Sequence, residues 1–544
     1  MTGADLLRSV RRSEWLVVAA VAAMSTVLVS LPPLLGWFEG MWCGQEWTGL
    51  GLFSPGDFGV YLSYIRQATG GSSPWLANQF TVAVVAPTLN PFWWLVGRLA
   101  AFLSVGPVAG FYLMRTLLVP VLAAVSYLTI AALLDRRAER LAAFLLLAFG
   151  SGWGYLFALL PPSGSVWINW PIDLWVAESN LFASELHSPH FVASWIMFLL
   201  TVLLLVLGFR SGRWCYHLTA GLSAAALFSF HPFHAPTLYV LGLVGLLVWG
   251  GGWGRPLLRR GLRLLPFYLL SLPVVASHYL TLTGEAAARE ITAANLTPTP
   301  GWPYLLLGFG LVLVLAPFGW WLLDRRAPRR AAFLLGWVAA QLVLVYLPFA
   351  FQRRLLEGLQ FPLVVLAGVA AVGALRLFRA KELKPRLVAT MTLIGLLSTL
   401  PSSVYVWASS LRVARGETSV QAFFPPAESM VLNWVRESSP ADASFVSVGT
   451  SGYFIAGWGE RPVLFGHWVN SGDVTLRQAE VQTFFAELND VERAEFMRAR
   501  GLTHVYIGPA EQLLLSAPLS DEIFARVYAG GGIEVYELRD NDRS

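Results

Sequence analysis

Cysteine is almost missing from this sequence: two occur in 544 residues, Cys43 and Cys215, which excludes a disulfide framework and any cysteine-based metal site. Charge is scarce as well, at 13% of residues against about 25% in soluble domains. With 56% hydrophobic residues and a mean hydropathy of +0.58, the bulk of the chain belongs in lipid. There is no Gly-rich phosphate loop, no GxSxG elbow, no HExxH and no strand-linked GxGxxG, which excludes cytosolic nucleotide chemistry. No repeat period is present, so a solenoid is excluded. The 23 Trp, 34 Phe and 16 Tyr exclude a disordered chain.

What is there is a set of long apolar runs separated by short arginine clusters. An apolar segment needs about 20 residues to cross the hydrocarbon layer, and its flanking basic residues set its direction. Arg136, Arg137 and Arg140; Arg210 and Arg213; Arg255 to Arg263; Arg325 to Arg330; and Arg376 to Arg386 all fall on one side if eleven spans lie near 15–36, 108–134, 141–160, 191–208, 218–231, 233–250, 264–282, 302–323, 331–350, 360–377 and 387–406. The net charge of +5 is then the positive-inside signature and needs no nucleic-acid partner. The apolar run 15–36 is too long for a signal h-region and is read as a retained first span. The segment 89–105 carries Arg98 and is pinned by Pro91, which predicts an in-plane helix on the outer face.

The N-terminus is expected inside and the C-terminus outside, with Cys43 and Cys215 on opposite faces. The chain divides into a transmembrane domain, 1–406, with a first outer loop at 37–107 and a second at 161–190, and an outer domain, 407–544. In this last part charge rises and the apolar runs shorten. Amphipathic stretches at 427–437 and 489–500 predict helices, and 445–449, 462–465, 504–507 and 533–537 predict short strands, giving a small α/β domain. It shows no nucleophile-base pair and is expected to hold no catalytic residue of its own.

Asp57 follows Pro55-Gly56 and opens an amphipathic pattern, SPGDFGVYLSYIRQA. A carboxylate held there at the lipid-water boundary suits a general base; it equally suits a helix N-cap. The second outer loop gathers Asp173, Glu178, Glu185, His187 and His190, donors that fit a divalent cation or a hydroxylated substrate, or simply a solvated loop. His231 and His234 bracket a proline in an apolar stretch, where ionisable groups usually face a cavity. Arg353 and Arg354 stand on the face that should be poor in arginine, and a guanidinium fork suits a lipid-borne phosphate; headgroup snorkelling is the alternative. Outer aromatic residues such as Trp93, Trp94, Trp167, Trp170 and Trp175 suit sugar stacking or an interfacial belt.

An acid in a long first outer loop before VYLSYIRQA, a Pro-led amphipathic stretch (TLNPFWWLVGRLA), an acidic second loop, FQRRLLEGLQFPLVVLAG, and an outer tail with GHW and THVYIGP together resemble the GT-C superfamily of integral-membrane glycosyltransferases. These are relatives of the protein O-mannosyltransferases and the lipid A aminoarabinose transferases, and the likeness is to a prokaryotic branch of unknown substrate. The resemblance implies transfer of a sugar, with inversion, from a polyprenyl-phosphate donor to a glycan, lipid or protein acceptor on the outer face of a prokaryotic cell membrane. The first-loop acid is matched by Asp57, and the basic residues near the donor phosphate by Arg353 and Arg354. Many members pair two acids in the first loop, whereas here Gly56 and Phe58 flank Asp57, so metal dependence does not carry over. A flippase for a polyprenyl-linked glycan and a glycan-binding membrane scaffold are the competing readings; the first should show inverted repeats with matched broken helices.

Overall fold

The computed structural model describes residues 1–53, 55–71, 73–159, 169–380, 390, 393–395 and 397–539. Part of the expected span 387–406, the start of the loop expected at 161–190 and Trp167 lie outside the described residues. The chain is a polytopic helical membrane protein. Among the described residues seven helical segments are long and apolar enough to cross a bilayer: Arg12–Cys43, Pro107–Leu133, Pro189–Ser211, Pro232–Trp249, Arg255–Gly284, Trp302–Asp324 and Gln352–Leu377. The expected spans at 141–160, 218–231 and 331–350 are shorter helices of 13, 15 and 17 residues.

The span expected at 141–160 departs furthest from its prediction, because its helix ends at Phe149. The following sequence, Gly150-Ser151-Gly152-Trp153-Gly154, is costly to keep helical. The amides of Gly152 and Gly154 instead donate to the Asp173 carboxylate at 3.0 and 3.2 Å. Asp173 is therefore a loop anchor, and its burial pushes the carboxyl up to about 7.

The chain forms two compact units. The first comprises 1–32, 112–278 and 297–411. At its centre runs Pro189–Ser211, whose apolar window is 83% buried, while that of Arg255–Gly284 is only 17% buried. A helix apolar on every side that is also enclosed on every side is a core helix; the other faces outward.

The second unit comprises 33–111, 279–296 and 412–544, so the loop expected at 37–107 packs with the tail. Strands β1 (Glu46–Trp47) and β4 (Phe423–Phe424) pair antiparallel, as do β2 (Trp75–Leu76) and β3 (Thr88–Leu89). The helix Pro55–Gly70 packs against Pro91–Phe102 and against Gly449–Trp458. Pro91–Phe102 has 12 residues, about 18 Å, and falls short of a bilayer; Asn90 caps its first turn. Within it Trp93 is buried and stacked between Tyr61 and Phe111, which makes it a core residue, neither a belt anchor nor a sugar platform.

The tail carries a four-stranded sheet in the order β5-β6-β8-β7, from Phe445–Val446 (β5), His504–Ile507 (β6), Phe524–Gly530 (β7) and Ile533–Leu538 (β8). Strands β5 and β6 run parallel and the others antiparallel. Helices Val474–Ala486 and Asp490–Arg500 lie in the crossover between β5 and β6. Phe484, Phe485, Met497, Val505 and Phe524 form the core. The run 462–465 contributes only a bridge from Val463 to Phe445.

Candidate active site

Asp57 lies in the first turn of the helix that starts at Pro55. It is inside the helix, so the N-cap reading does not hold. Two side chains of the tail reach this turn. The Tyr453 hydroxyl accepts from the Gly59 amide at 2.8 Å and donates to the Pro55 carbonyl. Only glycine admits it, because a Cβ on residue 59 would sit 2.6 Å from the tyrosine ring.

The second side chain is His467, 3% exposed, whose Nε2 lies 3.2 Å from Asp57 Oδ1; the Asp57 side chain is 27% exposed. The imidazole's tautomer follows from its other side. Nδ1 faces the amides of Val469 and Asn470, both at 3.0 Å, and can only accept from them. The ring proton therefore sits on Nε2 and is donated to Asp57. Ser471 fixes the backbone of this turn: its hydroxyl accepts from the His467 amide at 3.0 Å and donates to the Phe80 carbonyl at 2.6 Å. The result is an imidazole locked in one orientation with one donor aimed at one carboxylate. A cavity of about 780 Å³ opens beside it, lined by Gly56, Tyr453, His467, Trp468 and Gln482 among others.

A separate constellation lies in the first unit. His190 Nδ1 is 2.7 Å from the Ser188 hydroxyl, and its ring centre lies 6.2 Å from that of His187 and 5.7 Å from that of His231. Ser194 Oγ lies 3.1 Å from His231 Nδ1 and 2.7 Å from His234 Nε2. Glu357, fully buried, places Oε2 at 3.2 Å from His234 Nε2 and 3.7 Å from His231 Nδ1. Its backbone is held by Gln341, whose amide donates to the carbonyls of Leu355 and Glu357 at 2.7 Å. The next residue, Gly358, has φ +95° and sits where a Cβ would be 2.7 Å from the Phe198 ring. Just before Glu357, the Arg353 guanidinium covers the Trp175 ring at 5.0 Å and approaches Glu178 at 3.9 Å. The Arg354 guanidinium covers Phe233 at 4.2 Å. Glu185 is buried, which pushes its carboxyl up to about 8 against the opposing pull of Arg115.

Neither a protein-family model nor a curated relative matches the sequence. Solved structures do match it. The oligosaccharyltransferase of Archaeoglobus fulgidus superposes with a TM-score of 0.54 at 13% identity, over 90% of this chain and 69% of that one. ArnT from Cupriavidus metallidurans, bound to undecaprenyl phosphate, superposes with 0.52 at 12% identity, over 97% of this chain and 98% of that one. The mycobacterial arabinofuranosyltransferase AftD gives 0.51 at 14% identity, over 96% of this chain and 40% of that one. The chain has the GT-C fold.

On this GT-C fold the residues singled out from the sequence fall into two groups. Glu178, His187, His190, His231, His234, Arg353 and Arg354 belong to one unit and Asp57 to the other. The contact of His467, within the quoted GHW, with Asp57 was not foreseen from the sequence. The sequence reading also passed over Glu357, whose signal was a carboxylate in a span-flanking apolar stretch. Four further arginines outside the clusters have partners. Arg66 pairs with Glu460 at 3.0 Å. Arg98, Arg115 and Arg289 donate to backbone carbonyls.

Proposed function

We propose that this chain is an inverting glycosyltransferase that moves a sugar from a polyprenyl-phosphate donor to an acceptor on the extracytoplasmic face of a prokaryotic membrane. The observation that carries the reading is the Asp57 carboxylate on a helix turn, met by an imidazole whose orientation is fixed by two backbone amides. The GT-C fold supports it, since the matching structures are glycosyl-transferring proteins and one holds undecaprenyl phosphate. Asp57 is assigned as the general base that removes or orients the acceptor's hydroxyl proton as the sugar's anomeric carbon is attacked. The cavity beside His467 lies in the size range of small-molecule sites and is assigned to the acceptor.

Arg353 and Arg354 are assigned to the donor phosphate. Negative charge grows on that phosphate as the glycosidic bond breaks, and fixed cations stabilise it most where water is excluded. The assignment rests on two guanidiniums held over aromatic rings. The decisive experiment is Asp57→Asn with purified protein and a panel of synthetic polyprenyl-phosphate sugars. Transfer should fall about 10²–10⁴-fold with donor binding retained; wild-type turnover would remove the base from this loop.

A further inference from the structure

His231, His234, Glu357 and Ser194 come from a helix-ending turn, the short segment before Gln360 and the central helix, and they aim their polar atoms at one point. We propose that this point is a binding site for a divalent transition-metal ion of the Zn²⁺ class, with His231 Nδ1, His234 Nε2 and Glu357 Oε2 as ligands and Ser194 Oγ or a water as the fourth. The three ligand atoms lie within 4.8 Å of one another and all three residues are buried. A tetrahedral ion with bonds of 2.0–2.2 Å sets its donors about 3.3–3.6 Å apart. The Glu357 oxygen stands 3.2 and 3.7 Å from the two ring nitrogens, and the Ser194 oxygen 2.7 and 3.1 Å from the same two.

The electrostatics point the same way. Glu357 is 0% exposed, and its second oxygen, Oε1, has no hydrogen-bond partner among the described residues. A buried carboxylate is costly unless a cation meets it. Two imidazoles and one carboxylate select zinc, cobalt or nickel over magnesium or calcium, which prefer oxygen-only cages. Such an ion ties the turn at 231–234, the central helix and the segment carrying Arg353 and Arg354 into one piece. The site requires nothing of Asp57 and does not depend on the proposed reaction.

The test uses the full chain in detergent, purified with a non-histidine tag, stripped with chelator and titrated with Zn²⁺ and Co²⁺. One equivalent should bind, Co²⁺ should give the visible bands of a tetrahedral site, and thermal stability should rise with metal. Glu357→Gln, which keeps the side chain's shape, should weaken binding at least about a hundredfold, since even outer partners of metal ligands are worth 10–100-fold. His217→Asn, at a buried histidine elsewhere in the same unit, should leave binding unchanged. A stripped wild-type chain that takes up no Zn²⁺ or Co²⁺ would overturn the site whether or not the variants fold. So would Glu357→Gln retaining one equivalent at wild-type affinity.

Discussion

The role given to His467 can be split atom by atom. Its Nδ1 accepts from the amides of Val469 and Asn470, and its Nε2 donates to Asp57. Asparagine places its amide oxygen close to the Nδ1 position but does not reach Asp57; glutamine reaches Asp57 but leaves the two amides unmet. His467→Asn therefore removes the donor and keeps the turn, and His467→Gln does the reverse. A hydrogen bond to a charged group is worth about 1.5–3 kcal/mol, and each 1.36 kcal/mol is tenfold in rate. If the contact is realised in the transition state, His467→Asn should lower kcat by about 10- to 150-fold. The donor KM should stay near wild type and the melting temperature should move little. His467→Gln should keep more of the rate and melt earlier. The assay is transfer from a synthetic polyprenyl-phosphate sugar at saturating acceptor, with melting followed in the same detergent. Wild-type kcat in His467→Asn would refute the positioning role, because a merely structural histidine would move stability in both variants and rate in neither.

Replacing Arg353 and Arg354 together with Gln should weaken donor binding by at least about tenfold, the low end for a charge contact because the Arg353 side chain keeps 23% exposure; unchanged affinity for the labelled donor would end the phosphate assignment. Glu185 has its carboxyl pushed up to about 8 by burial from an ordinary value of 4.5. Between these values the folded state holds a proton that the unfolded state has lost, so this residue's contribution to stability declines as pH rises from about 4.5 to about 8. Glu185→Gln should accordingly raise the melting temperature more at pH 8 than at pH 5, and an equal shift at both would contradict the linkage. Single cysteines placed at Ala138, Glu285 and Pro328, with Cys43 and Cys215 replaced, should be labelled by an impermeant reagent from outside only at 285. Outside labelling at 138 or 328 would reverse the proposed topology.

Much of the scaffold was legible because it is written locally. The apolar runs and arginine clusters marked the helices, β6 at 504–507 was found to the residue, and the helices Pro426–Glu437 and Asp490–Arg500 came within one residue of their predicted ends. Strand β7 escaped because its ladder shifts register between Arg526 and Tyr528, which breaks the period-two pattern. The helix break after Phe149 was hidden by the strong hydropathy of its neighbours, even though the glycines that cause it were in plain sight. The site was legible only by residue type. Asp57 and the HPFH turn stood out as polar groups in apolar surroundings, but the partners that give them meaning are remote. His467 is 410 residues from Asp57, and the Glu357 carboxylate meets histidines more than 120 positions earlier. No periodicity encodes such pairings; the close packing of the folded chain makes them.

The Tyr453 hydroxyl lodged in the first turn of the Pro55–Gly70 helix, with His467 beside it, has a consequence for biosynthesis. The carboxylate is made before the groups that reach it. At translation rates of about 5–20 residues per second, the 410 positions between Asp57 and His467 correspond to roughly 20–80 s. Throughout that interval the nascent protein carries the Asp57 carboxylate without the donor of His467, and a message truncated anywhere before codon 467 yields a product in the same condition. The surroundings of Asp57 are thus completed only once synthesis has passed His467.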